Sequence, residues 1–581
     1  MTMPDRSPDR AGGEPGIRAS ASPTAGDEPG LVLWLHRALT LGAVMGLVVG
    51  LRGFWSGLAL PRPGLAFALS CAYLVMLLCA ILALCLPHGR GLSRLDMGVL
   101  GTAIAIKVIA AWPALVGERV INVDEGSLMD HAARSLAAGH NPYLAAWNGA
   151  GPGLHTRLMN GGTVLGFGYP PLGAELGAVA QRILPAAAGI VVVAWLALIA
   201  TTILIFRAAP VPLRPIATIG MLGLGTLTSY ANNAYPSLIA LPFLCLAAWR
   251  WTSIGRGGRL GRGGVVRAVA LGLACATHQL GWFLALFLVV GLAVLRRGEL
   301  PLRTTTAVLA RYLAVAVGVF LLVSAPFLIV SPRAWLTGIA EPLRQHAVPH
   351  GQGIMSLSYY VIGGSGGLDF YRYASMLLLA ALLIAYAVHL RTLGPAAVVL
   401  PWLAFIVSTR SQDGYWVLTM PLWIVALCST TRDDFAGAYR FRLPRRLAAA
   451  ARAARATGIL ATAALFLPAL ACVVIAAASP QPLDLRVTTP ITPGQTVRTL
   501  TVQVTNRSPY AITPHFAVTT DVDIADYWTI TGGPAALPAH GTASYTLGPP
   551  ENAWKAPAKT PAILRAVSDE PQTLSSRRLL G

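Results

Sequence analysis

Residues 64–87 read GLAFALSCAYLVMLLCAILALCLP, with no charged side chain in the run. A stretch like this crosses a bilayer as a helix of about 20 residues, or it lies deep in a large soluble core. The rest of the chain excludes the core. Of 581 residues, 55% are hydrophobic and only 12% charged, too few charges to cover a soluble globule of that size. Comparable runs recur near 31–51, 95–116, 184–206, 215–230, 235–250, 266–278, 281–295, 307–330, 372–390, 394–409, 415–429 and 457–478. The sequence therefore predicts a polytopic α-helical membrane protein with roughly thirteen transmembrane helices, some too short to cross without help from neighbours.

The formal net charge is +20, a value that also occurs in nucleic-acid-binding proteins. Here the arginines stand in short clusters between apolar runs, as the positive-inside rule requires, so nucleic acid is rejected as a partner and the bilayer takes its place. Arg90 and Arg94, Arg207 and Arg214, the run from Arg250 to Arg267, Arg296 to Arg303, Arg391, and the cluster from Arg432 to Arg455 fall in alternate loops. Placing those loops in the cytoplasm puts the amino terminus inside and the carboxyl terminus outside. It also puts 117–183, 331–371 and the RSQDGYW loop on the outer face. Residues 1–30, rich in Pro, Gly, Asp and Arg, read as a disordered cytoplasmic tail with no cleavable signal peptide. All seven cysteines lie in apolar runs, which gives no disulfide framework.

Beyond the membrane region (31–478) the pattern changes. RTLTVQVTN sets Leu500, Val502 and Val504 on one face, and HFAVTT, YWTITGG and TASYTLG follow between turn residues. Residues 479–581 are thus expected to form an extracytoplasmic β-sandwich. Its Tyr527, Trp528 and Trp554 either pack its core or stack on a sugar.

Against this apolar background, INVDEGSLMDHAARSLAAGHNPY (121–143) stands out in the first outer loop. Residues 125–138 suit a helix begun by Asn122 or Asp124, with Glu125 placed for a capping box and Gly139 at the end. Asp130 and Arg134 have the spacing of a surface ion pair. Asp124 and His131 share a face. Capping uses only one of the adjacent acids Asp124 and Glu125, and acids near a bilayer are costly unless they face a water-filled cavity. Both are therefore candidates for chemistry.

The ordered string VDEGS, HAARSLAAGHNPY and GYPPL, spanning Asn122 to Leu172, resembles the first outer loop of GT-C membrane glycosyltransferases that use polyprenyl-phosphate sugars. It is most similar to glycosyltransferase family 87, the polyprenol-phosphate-mannose-dependent mannosyltransferases. The adjacent Asp-Glu also resembles the protein O-mannosyltransferase and aminoarabinose transferase branch. The resemblance implies a GT-C-like transmembrane domain over 31–478 and transfer of a sugar, mannose first, from a polyprenyl phosphate to an acceptor with inversion. The acceptor is a glycolipid, a polysaccharide or a protein. The catalytic base it implies is Asp124, with Glu125 as the alternative, and the transition state resembles an oxocarbenium ion leaving from phosphate.

A phosphate leaving group calls for hydrogen-bond donors and cations. The candidates are Arg344, His346, His350 and Gln352 in EPLRQHAVPHGQG, Arg410 in STRSQDGYW, and His278 and Gln279 in ATHQLGW, with His131 and Asn141 nearer the acids. Arg410 can instead pair with Asp413, and His278 can be a buried, hydrogen-bonded histidine. Tyr143 and Tyr169 either line the sugar pocket or anchor the interface. No HExxH, CxxC or calcium-loop spacing occurs, so no metal or other cofactor is expected to be required. The alternatives are a transporter or lipid flippase, for which the in-span Lys107 speaks, and a cell-wall binding or scaffold protein led by the β domain. The expected setting is the plasma membrane of a bacterium with a GC-rich genome.

Overall fold

The computed structural model describes residues 28–50, 52–87, 89–116, 121–146, 156–184, 188–223, 225–440, 462–520 and 526–580. Most of the tail expected to be disordered, and the basic cluster from Arg442 to Arg455, lie outside the described residues.

Up to Ala478 the described residues are mostly helical, as apolar segments must be where no water can satisfy a backbone amide. Seven of the described helices are long and apolar enough to span a membrane: Gly30–Gly50, Pro63–Cys85, Arg90–Leu115, Gly189–Ala208, Leu280–Glu299, Leu302–Val330 and Asp369–Val388. The count reaches nine if each of two bent pairs is one span, against the roughly thirteen expected. The difference has a local cause. The segments at 215–230 and 235–250 were expected as separate spans. Instead Pro215–Thr218, a π-helical turn at Ile219–Gly223 and Gly225–Asn232 lead to Pro236–Ala248, and the last two helices meet at 118°. Leu390–Val398 and Leu400–Val407 meet at 79°, with Pro395 and Pro401 in the pair. Proline removes an amide donor and clashes with the preceding turn, so apolar runs that carry it break into pieces. Packing protects the breaks: Ala231, Ala234, Leu238 and Leu241 are fully buried.

Within the helical region, Glu28–Gly50 and Arg90–Leu115 are tied by a sealed polar contact. His36 Nε2 lies 2.6 Å from Asp96 Oδ2, and Thr40 donates to Asp96 Oδ1 at 2.8 Å. All three side chains are buried.

From Leu483 the chain is β-structured. Seven strands form one continuous sheet rather than two stacked ones, in the order across the sheet Thr573–Leu580, Ala562–Ser568, His515–Thr519, Tyr527–Gly532, Thr542–Gly548, Leu500–Asn506, Leu483–Val487. The pairs are antiparallel. The expected sandwich is thus a rolled, barrel-like sheet. Its two edges come together where the Leu483 amide donates to Ser575 Oγ at 3.0 Å. The alternation read at Leu500, Val502 and Val504 does face the core, with Phe516, Tyr545 and Leu547. Trp528 is buried there and meets Trp554 at 5.9 Å between ring centroids, so this pair packs the domain.

This domain is seated firmly on the helical region. Ser365 and Leu574 exchange backbone hydrogen bonds at 2.8 and 2.9 Å. Arg565, nearly fully buried, lies 3.7 Å from the centroid of the Tyr359 ring and donates to the Tyr359 carbonyl at 2.8 Å. The first loop joins the same interface. Tyr527 donates to the Leu158 carbonyl at 2.8 Å, Arg157 pairs with Asp526, and Met159 is buried among Val348, Tyr359 and Leu574. The acid-bearing loop and the C-terminal domain therefore occupy the same end of the helical bundle.

Candidate active site

The two acids open the Asp124–Ala137 helix. Neither is the cap residue: that position is Val123, which makes no side-chain cap bond, so the capping reading is corrected. Two carboxylates at a helix start are favourably placed for the dipole, and that leaves their oxygens to other partners. Gly126 lets this end dock. A Cβ there would stand 1.9 Å from the Asn233 carbonyl oxygen, at the break between Gly225–Asn232 and Pro236–Ala248. Asn233 Oδ1 also accepts from the Asn122 amide at 3.3 Å. The broken span thus holds the acids in place.

Asp124 Oδ1 accepts from the Glu125 amide at 2.8 Å, and Oδ2 accepts from the Thr156 hydroxyl at 2.5 Å. With its amide turned so that each end meets a partner, Gln412 donates to Glu125 Oε1 at 3.2 Å and accepts from Arg410 at 2.6 Å. Burial, reinforced by the charge of Asp124, pushes the Glu125 carboxyl up to about 8, with Arg410 pulling the other way and Asp413 adding to the rise. Glu125 therefore carries a proton at neutral pH. Burial works against the charge of Arg410, but Tyr415, Asp124 and Glu125 outweigh it and keep the guanidinium more basic than usual.

Asp124, Glu125, Thr156, Arg410 and Tyr415 all line a cavity of about 420 Å³. Of the residues singled out in the sequence, Asp124, Glu125, Tyr169, His278, Gln279 and Arg410 line it. Gln279 spans two elements, donating to the Gly168 and Ile339 carbonyls at 2.7 and 2.9 Å. Its own amide oxygen, like that of Gln345 in the same wall, is buried and has no partner among the described residues. His278 Nδ1 accepts from the Leu280 amide at 3.0 Å, which leaves Nε2 to carry the ring proton in the neutral form. Its ring packs on Tyr169 at 5.3 Å.

The other candidates lie off the cavity wall, and each has a reason. His131 is two turns along the helix, past the last lining residue, Leu128. Asp130, beside it, takes the expected ion pair with Arg134. Asn141 caps the turn before the Tyr143 amide at 3.0 Å. Tyr143 donates to the Tyr169 carbonyl at 2.7 Å and packs against Phe167 and Phe327, so it supports Tyr169 from behind. Arg344 and Gln352 are exposed. The His350–Gly351 strand pairs in parallel with Arg410–Ser411, and Gln352 donates its amide to Ser411 at 2.8 Å. That segment serves the site through its backbone, by holding the Arg410 loop. Gly351 has φ +118, and a Cβ there would stand 2.3 Å from the Ser411 carbonyl, so the pairing needs glycine. His346 bonds to Asp569 and Arg372.

Sequence reasoning missed Thr156, Glu341, Gln345 and Arg372, all in the cavity wall. For Arg372 there was a signal: a cation one turn into the apolar Asp369–Val388 helix. The cavity wall along that helix is Arg372, Ser375, Met376 and Leu379. These positions share one face, polar at the start and apolar two turns on. Met376 is 61% exposed on the surface of this candidate span, so the cavity reaches the side of the bundle that lipid would cover.

The chain matches no known family model and no curated protein. Among the described residues, no three His, Cys, Asp or Glu side chains stand close enough together to hold a metal ion.

Proposed function

We propose that this chain is an integral membrane glycosyltransferase. It moves a sugar from a polyprenyl phosphate to an acceptor hydroxyl on the extracytoplasmic side of a bacterial plasma membrane, with inversion. One observation carries the reading: a single cavity is lined by the carboxyl pair, by the guanidiniums of Arg410 and Arg372, and by the apolar stripe that follows Arg372 on a helix whose Met376 is 61% exposed. That combination of surfaces suits a ligand with a sugar, a phosphate and a hydrocarbon tail. The resemblance of 122–172 to the GT-C loop supports it independently.

In this mechanism the acceptor oxygen attacks the anomeric carbon and Asp124 takes its proton. Such a base contributes about 10²–10⁴-fold to the rate. The bond from the anomeric carbon to the phosphate oxygen breaks, and its electron pair leaves with the polyprenyl phosphate. Arg410 and Arg372 offset the charge that develops on the leaving group. Protonated Glu125 adds no second negative charge beside it, and donates a hydrogen bond. Mannose is the first sugar to test, and the acceptor is a glycolipid, a wall polysaccharide or a protein.

The test supplies membranes containing the full chain with labelled polyprenyl-phosphate sugars and, separately, labelled nucleotide sugars, with a native lipid and wall extract as acceptor. Transfer from the lipid donor alone is the expected result. No transfer from any lipid donor by folded protein overturns the proposal, and transport of the lipid-linked sugar would then be measured.

A further inference from the structure

The cavity is completed by a residue the helical region does not position unaided. Arg372 NH1 lies 3.3 Å from His346 Nε2, and His346 Nδ1 lies 2.5 Å from Asp569 Oδ1. A carboxylate on Nδ1 holds the ring proton there, which leaves the Nε2 lone pair to accept from the guanidinium. Asp569 belongs to the C-terminal domain, in the turn between Ala562–Ser568 and Thr573–Leu580. That turn also docks on the start of the Asp369–Val388 helix that carries Arg372. The Gln572 amide donates to Asp369 Oδ2 at 3.3 Å, and the Leu368 amide donates to the Gln572 carbonyl at 3.2 Å. The domain is already anchored by Arg565 on Tyr359 and by the Ser365–Leu574 backbone pair, so seating it does not require the relay.

We propose that the C-terminal domain is a working part of the cavity: through Asp569 and His346 it aims the Arg372 guanidinium at the phosphate of a lipid-linked ligand. The inference rests on the proposed function only in taking a lipid phosphate as the ligand. Arg372 is the binding residue, and His346 and Asp569 are positioning residues that hold a flexible side chain in one geometry before the ligand arrives.

The probe is polyprenyl phosphate without a sugar, titrated against the purified full chain in nanodiscs. Arg372→Ala is expected to weaken binding about tenfold or more, the loss of one charge-assisted contact. His346→Ala and Asp569→Ala should each weaken it about threefold with Arg372 present, and not further in an Arg372→Ala background. His346→Gln, whose amide oxygen replaces the Nε2 acceptor, should recover part of the loss. A purely structural domain predicts otherwise: Asp569→Ala and His346→Ala would lower thermal stability and cost the same with or without Arg372. Additive losses, wild-type affinity in both positioning variants, or no binding by the wild type each overturn the inference. Sugar transfer is scored in parallel. An intact coupling pattern without transfer from any lipid donor sinks the glycosyltransferase reading and leaves this one standing. Transfer accompanied by additive losses does the reverse.

Discussion

Asp96 and Glu125 are both carboxylic acids held beside basic groups within a helical bundle. Asp96 is 2% exposed, faces a fully buried His36, and takes a second hydrogen bond from Thr40. Its surroundings close around it. Glu125 meets Arg410 through Gln412, shares its helix start with Asp124, and opens into the 420 Å³ cavity. In the first cluster each oxygen of the acid is matched to a neighbour, as an ionisable group far from water must be. In the second, two acids crowd together and space is left beside them for a ligand. Ionisable residues in an apolar chain thus fall into two kinds, and the difference is whether their partners use up the room around them.

The strongest test of this contrast exchanges one oxygen for nitrogen in each cluster. Asp124→Asn should lower sugar transfer by about 10²–10⁴-fold at unchanged thermal stability, since it removes a base. Asp96→Asn should leave transfer per folded molecule within about twofold. Equal losses of transfer in both would erase the distinction. Next in size is Arg410→Ala, expected to cost about 10²-fold in turnover by removing a fixed cation from the leaving group. Arg410→Lys should recover only part, because an ammonium cannot reproduce the planar fork that reaches Gln412. Third, Asp96→Asn should destabilise the protein in detergent by about 1–3 kcal/mol, read as a fall in melting temperature with turnover retained. A melting temperature unchanged by this substitution would mean that the sealed contact is not a staple.

Only the open side of this contrast was legible in the chain, the sealed His36–Asp96 contact was not, and the gaps have physical causes. The acids at 124 and 125 announced themselves because charge is rare in this composition, and Arg410 because it sits in a short polar loop between apolar runs. Span number was harder to read. Hydropathy registers burial, and buried helices broken by Pro215, Pro236, Pro395 or Pro401 are as apolar as lipid-facing ones. Among the polar residues of 341–352, sequence gives no direction of projection. Arg344 and Gln345 are adjacent, yet Arg344 is exposed while Gln345 lines the cavity. The role of His350–Gly351 could not be read at all, since it is performed by backbone pairing with a strand 60 positions away. Arg372 was hidden by its place at the start of a span, where a cation ordinarily marks only the water boundary.

The smallest expected effect separates the two acids from each other. The Glu125 carboxyl is raised to about 8, so it is protonated below that pH and ionised above it. If the protonated form is the working form, transfer at saturating donor is level below about pH 8 and falls as pH rises through it. Glu125→Gln keeps the hydrogen-bonding shape without the proton that titrates. It should cost only about threefold and remove the fall on the alkaline side. Were Glu125 the base, the signs would invert. Rates would climb toward pH 8 as the carboxylate forms, and Glu125→Gln would abolish transfer while Asp124→Asn was tolerated. The alkaline limb therefore decides which member of the pair holds a proton and which receives one. That division follows from the surroundings of two adjacent carboxyls: Asp124 accepts from a backbone amide and a hydroxyl, and Glu125 is pressed between Asp124 and the protein interior.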